Sequence, residues 1–179
     1  MKIAKCYNYI VEGSKYTTDD NISFSNGVIT LTTRGLLAPP IWTVAMKKDT
    51  GFVSGDCEDF TFAVKTFLRA SGVKDVYACV GTITLYDPIT HRATGTYGHA
   101  CISVFYNNQW CLLETTLEKP LEDIKPVSSI KNAEYKVYYR FDDQDVETTI
   151  EKNVNIPLVY PPLPPAKIQD LKDALNSAN

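Results

Sequence analysis

HACISVFYNNQWCLLETT, residues 99–116, is the stretch on which the fold turns. Asn107-Asn108 splits two apolar runs, and asparagine tolerates the backbone that a two-residue hairpin turn needs. With that turn Tyr106 faces Gln109. Counting outward, Cys101 faces Glu114 and His99 faces Thr116. Side chains alternate along a strand, so His99, Cys101, Glu114 and Thr116 share one face. Ala100, Ile102, Val104, Cys111 and Leu113 take the other, an apolar set suited to a core. Glu114 is the diagonal neighbour of His99, about 7–8 Å away between backbones and within reach of a long side chain. The register therefore predicts a His99–Glu114 contact. A half-buried carboxylate in an apolar run needs a partner; the alternative to His99 is a lysine at the sheet edge.

Upstream, CEDFTFAVKTFLRASG (residues 57–72) carries Phe60, Ala63, Val64, Phe67 and Leu68 at helical spacing, which predicts a helix with one apolar stripe. Gly72 is its natural stop. Between helix and hairpin, KDVYACVGTITLY predicts a long strand and DPITHRATGTYG an exposed loop or hairpin. EYKVYYRF predicts a further strand. Residues 1–35 are polar, with a turn at Asn26-Gly27 and a strand-like VITLTT after it. The C-terminal PLVYPPLPPAKIQDLKDALNSAN predicts a proline-rich linker and a short polar helix, which either packs on the domain or reaches a protein partner. Asp142, Asp143 and Asp145 read as a solvated turn.

The 179 residues suit one domain, and 44% apolar with 22% charged residues is enough to build a core. A net charge of -3 with no basic cluster argues against nucleic-acid binding. No run reaches the roughly 20 apolar residues of a membrane helix, and MKIAKCYNYIVEG is broken by Lys5 and Asn8, unlike a signal peptide. A cytoplasmic protein is the expectation. The five cysteines are odd in number and lack a CxxC pair, which argues against a disulfide framework or a structural zinc site. Cys79, Cys101 and Cys111 lie in apolar strand-like runs and read as small buried residues.

Cys57 is different. It sits where the loop DTGFVSGD meets the helix. A thiol there feels unpaired N–H groups and the positive end of the helix dipole, which favour the thiolate. The same N–H groups can receive an oxyanion. Against this, Asp56, Glu58 and Asp59 oppose a thiolate, so Cys57 is either a filler at an acidic helix start or has a positive partner. Of the two histidines, His91 lies beside Arg92 in the polar loop and reads as solvated surface. His99 is the candidate, either as that partner or as a structural strand histidine.

Gly55-Asp56-Cys57-Glu58-Asp59 at a helix start, Gly98-His99-Ala100 opening a strand, then Trp110 and Glu114-Thr115-Thr116 on the next strand, resemble the transglutaminase-like superfamily. The likeness is to its transglutaminase-like cysteine peptidases, which show W…P…GDCED, HAW, and a W followed by DPT. It covers about residues 36–120. The resemblance implies an α+β, papain-like fold over residues 1–156, with residues 157–179 as linker and helix. It implies Cys57 as nucleophile, His99 as base and Glu114 as the acid that orients the histidine. Trp42 matches the upstream tryptophan, and with Asp56 is a candidate for the substrate or oxyanion pocket. The sequence departs from the pattern at Glu114, where the family carries Asp, at Cys101, where it carries an aromatic, and at Thr115, where it carries proline.

The implied reaction is acyl transfer through a thioester on Cys57, from a peptide or protein amide, with no cofactor or metal. Water as second nucleophile makes a peptidase or amidase; an amine makes a transglutaminase. Two rivals stay open. Cys57, His99, Cys101 and Glu114 are residue types that ligate zinc. A catalytically silent binding module would engage a partner through Pro161-Pro162 and Pro164-Pro165 in an extended helix.

Overall fold

The computed structural model describes residues 2–17, 48, 51, 53–118, 120–121, 124–126, 132–142, 146–148 and 163–176. Trp42, the VITLTT stretch, Asp143, Asp145 and Pro161-Pro162 lie outside them. The elements are α1 (Lys2–Val11), β1 (Lys15–Tyr16), β2 (Ser54–Gly55), α2 (Cys57–Ala70), β3 (Val76–Tyr86), β4 (Ala93–Tyr106), β5 (Gln109–Leu113), β6 (Lys125–Pro126), β7 (Ala133–Phe141), β8 (Val146–Thr148) and α3 (Ile168–Asn176), the last preceded by a 3-10 turn at Pro165–Lys167. The class is α+β. One antiparallel six-stranded sheet runs in the order β6-β5-β4-β3-β7-β8, and β1 pairs with β2 in a short parallel ribbon.

The hairpin register is the one the sequence predicts. Tyr106 faces Gln109, Phe105 faces Trp110, and the ladder continues to Ile102 and Leu113. Asn107 and Asn108 both adopt positive φ, 50° and 61°, as a tight primed turn requires. The apolar set Ala100, Ile102, Val104, Cys111 and Leu113 is buried with the α2 stripe of Phe60, Ala63, Val64 and Leu68 in one core. Each fully buried Phe or Leu of that stripe contributes about 1.5–3 kcal/mol over an exposed one. Gly72 ends the helix with φ +90°. On the other sheet face Cys79, Cys101 and Leu112 form a second, smaller cluster, flanked by Tyr77, Tyr135 and Val137.

Four differences from the sequence expectation have physical causes. Residues 1–35 are not polar throughout, because α1 buries Ile3, Tyr7, Ile10 and Val11, one helical face that Lys5 and Asn8 do not interrupt. Of the loop or hairpin expected over residues 87–98 the chain forms the hairpin, with a turn shorter than that stretch. Asp87 accepts hydrogen bonds from Ile89 N–H and Thr90 N–H at 3.0 and 2.6 Å, closing a turn, and β4 already begins at Ala93. Its Thr-rich start pairs well across the sheet; Thr84 and Thr96 hydroxyls meet at 2.9 Å. β5 stops at Leu113 rather than Thr116, because Thr116 N–H turns onto the Glu114 carboxylate. Finally, the C-terminal segment is not wholly polar: Leu163 ahead of the helix and Ile168 and Leu171 within it belong to the main core, and Tyr16 OH donates to the Leu163 carbonyl at 2.9 Å.

Among the described residues no helix is long and apolar enough to cross a membrane.

Candidate active site

Cys57 is the first residue of α2. Asp56 is its N-cap, in extended conformation, and closes a capping box with Asp59. The Asp59 carboxylate accepts Asp56 N–H at 3.3 Å. Gly55 makes room for this, since a Cβ there would lie 2.6 Å from Asp59 Oδ2. The GDCED stretch is therefore a helix start in which two of the three acids hold the cap. Asp56, a candidate for the substrate or oxyanion pocket, is a buried capping residue.

His99 and Glu114 meet as the register predicts. His99 Nε2 lies 2.7 Å from Glu114 Oε2, and both side chains are buried. Tyr135 OH donates to the same oxygen at 2.8 Å. Glu114 Oε1 accepts Thr116 N–H at 3.0 Å and Thr116 Oγ1–H at 2.7 Å. An ionised carboxylate has room for about four donors and donates nothing, so Nε2 must carry the hydrogen it shares with Glu114. In the neutral ring Nδ1 then holds the lone pair. Nδ1 is buried and has no hydrogen-bond partner among the described residues. Burial pushes the Glu114 carboxyl up, but the charge and hydrogen bond of His99 and the two bonds from Thr116 outweigh it, and the net shift is downward. Burial first, then the charges of Glu114 and Cys101, push the Tyr135 phenol well above its ordinary value and keep it a donor.

The Cys57 sulfur reaches this assembly through the backbone. Phe105 N–H donates toward β3, to the Asp75 carbonyl, so even-numbered residues of this part of β4 direct their N–H away from β3. β5 has ended at the Ile102–Leu113 rung, which leaves the Ala100 backbone open on that side. It is hydrogen-bonded to the Cys57 sulfur, one residue from His99.

The thiol is not the activated species expected from its place at a helix start. Cys57 is 5% exposed and packs in the main core. Its hydrogen points to Glu58 Oε2 at 3.2 Å rather than to the imidazole. Burial, then the charges of Glu58 and Asp56, push its pKa well up, and the Ala100 bond only partly opposes them. The helix dipole, about half a charge, loses to desolvation plus two full charges.

Two further contacts anchor the site. Tyr7 of α1 donates to the Glu114 carbonyl. The Thr61 and Thr115 hydroxyls meet at 3.0 Å, tying α2 to the turn after β5. Sequence reasoning placed Thr116 on the His99 face but assigned no role to Tyr135 or Tyr7. Both arrive through long-range packing that no local pattern encodes. The ligand-type side chains that converge among the described residues are Asp56, Cys57 and Glu58, with donor atoms all within 4.8 Å of one another. That set differs from the Cys57, His99, Cys101, Glu114 combination the sequence suggests.

No family model and no curated protein matches the chain.

Proposed function

We propose that this chain is a cysteine-dependent acyl-transfer enzyme of the transglutaminase-like, papain-like kind, hydrolysing an amide in a peptide or protein. Cys57 is the nucleophile, His99 the base and Glu114 the residue that orients the imidazole. The observation that carries the reading is the state of His99: one nitrogen fixed on a saturated carboxylate, the other buried and without a hydrogen-bond partner among the described residues. Such a ring is oriented by a carboxylate that also stabilises its charged form.

In the proposed cycle the Cys57 hydrogen leaves Glu58 and passes to His99 Nδ1 as the sulfur attacks the carbonyl carbon. N–H groups at the start of α2 receive the developing oxyanion. The C–N bond breaks as Nδ1 returns the proton to the leaving amine, leaving a thioester. Nδ1 then takes a proton from water as its oxygen attacks the thioester carbonyl; the C–S bond breaks, the acid leaves, and the proton on Nδ1 returns to the sulfur. An amine in place of water gives transamidation on the same machinery.

A second reading, a catalytically silent binding module on the same scaffold, is favoured by the burial of Cys57 and its bond to Glu58. Alkylation with iodoacetamide separates the two. The enzyme reading expects His99→Ala to slow Cys57 alkylation by about 10²-fold at about pH 7. A Cys57 rate indifferent to His99→Ala would leave the module.

A further inference from the structure

Cys79 and Cys101 are directly opposed across β3 and β4. Both are free and buried, 1% and 4% exposed, and they share one small cluster. Their rung can be assigned. Phe105 N–H bonds the Asp75 carbonyl at 2.9 Å, and every second rung of an antiparallel ladder is hydrogen-bonded. Cys79–Cys101 lies an even number of rungs further along an unbroken register and is hydrogen-bonded too. Such a pair has Cα atoms about 5.5 Å apart, within the range of about 4.4–6.8 Å that disulfides span. Closing the bond needs the Cβ atoms, at the wide end of the cross-strand range on such a rung, to approach by about 1.5–2 Å.

The two thiols are also chemically unequal. Cys79 lies between Cys101 on one side and Arg140 on the other strand neighbour, and the Arg140 guanidinium stacks over the Tyr77 and Trp110 rings, 5.8 Å from each. A hydrogen bond from Cys101, then the Arg140 charge, lower the Cys79 pKa against the effect of burial. The same hydrogen bond raises Cys101.

We propose that Cys79 and Cys101 are a redox-reactive pair, which a small peroxide closes into a cross-strand disulfide. The Cys79 thiolate attacks one peroxide oxygen. An S–O bond forms, the O–O bond breaks, and the released hydroxide takes a proton to become water. Cys101 then loses its proton and its sulfur attacks the Cys79 sulfur. The S–S bond forms, the S–O bond breaks, and hydroxide leaves as a second water. Two thiols and one peroxide give one disulfide and two waters. The pair lies two residues from His99 and beside Tyr135, but its chemistry does not depend on Cys57 being a nucleophile.

The test uses the full chain treated with hydrogen peroxide, unfolded in iodoacetamide, digested with trypsin without reduction, and sequenced by fragmentation. Arg92 separates the two cysteines onto different tryptic peptides, while Cys111 shares a peptide with Cys101, so fragmentation must locate the bond. The expected result is a Cys79–Cys101 link that dithiothreitol reverses. In Cys101→Ser the expected product is a Cys79 sulfenic acid, captured by dimedone. Recovery of both cysteines as carbamidomethyl derivatives while other cysteines oxidise, or a link from Cys101 to a cysteine other than Cys79, overturns the proposal. The wild-type map decides the matter even if the variant fails to fold.

Discussion

His99 and Glu114 stand fifteen residues apart in the chain, and their nearest side-chain atoms are 2.7 Å apart in the fold. The hairpin turn between them sets a diagonal relationship, and the end of β5 at Leu113 frees the Glu114 backbone to turn. The turn lets one carboxylate oxygen meet His99 and Tyr135 while the other takes two donors from Thr116. A buried carboxylate saturated in this way is stable only while all its partners remain.

Acid should therefore act through Glu114. Its carboxyl titrates below the ordinary 4.5. A depressed value means the folded state holds this proton less tightly than the unfolded chain. The stability it contributes is complete above about pH 4.5 and is lost as pH falls toward the folded value. Glu114→Gln should cost about 1–3 kcal/mol at about pH 7, since it leaves buried donors badly matched. It should also flatten the loss of stability below about pH 4.5. Urea unfolding followed by fluorescence across that range checks both. Parallel acid profiles for the two proteins would show that Glu114 is not the group responsible.

Glu58 restrains Cys57. Its carboxylate accepts the thiol hydrogen at 3.2 Å and ranks next after burial among the causes that hold the thiol protonated. Glu58→Gln keeps a hydrogen-bond acceptor and removes the charge. Cys57 should then alkylate faster at about pH 7, because the charge that helps burial hold the thiol protonated is gone. The rate is read by mass spectrometry of the Cys57 peptide. An unchanged or slower rate would mean that the acidic neighbour does not control the sulfur.

What could be read from the chain was local. The α2 stripe, the Asn107-Asn108 turn and the alternation on β4 and β5 fix the helix, the hairpin and the His99–Glu114 contact, because each depends on spacing within a few residues. The end of β5 was hidden because Thr116 competes with the ladder for a partner, a choice made by one side chain. The state of Cys57 stays open in the sequence because helix position argues for a thiolate while burial, a property of the whole core, argues against it. Tyr135 was invisible as a site residue because β7 joins the sheet beside β3, and that register is set far from either segment.

Tyr135 can be removed from the site with little change in shape. Tyr135→Phe keeps the ring, whose centroid lies 5.9 Å from that of His99, and deletes the hydroxyl that bonds Glu114 Oε2. Hydrogen bonds to charged groups contribute about 1.5–3 kcal/mol, so a loss in that range is expected. With one donor gone the Glu114 carboxyl should rise, moving the acid limb of the stability profile to higher pH. A residue that merely filled space would lower stability at every pH and leave that limb where it was. Urea unfolding of Tyr135→Phe beside wild type decides between them.

Two glycines should differ sharply when replaced by alanine. Gly81 faces His99 across β3 and β4, at the point where the β3–β7 register shifts. A Cβ there would sit 1.9 Å from the Lys136 carbonyl oxygen, which is backbone and cannot swing aside. β7 would have to move away from β3, so Gly81→Ala should cost about 3 kcal/mol, at the upper end of ordinary overpacking. At Gly55 the clash is with Asp59: the carboxylate at 2.6 Å can rotate away, while its Cβ at 2.9 Å must give by a few tenths of an ångström with the first turn of α2. Gly55→Ala then loses the Asp59 half of the capping box, which is worth about 0.5–2 kcal/mol. Urea denaturation should therefore rank Gly81→Ala as the more damaging. The reverse order would mean that the Asp59 cap, rather than the close approach of β3 and β7, is the tighter constraint around the site.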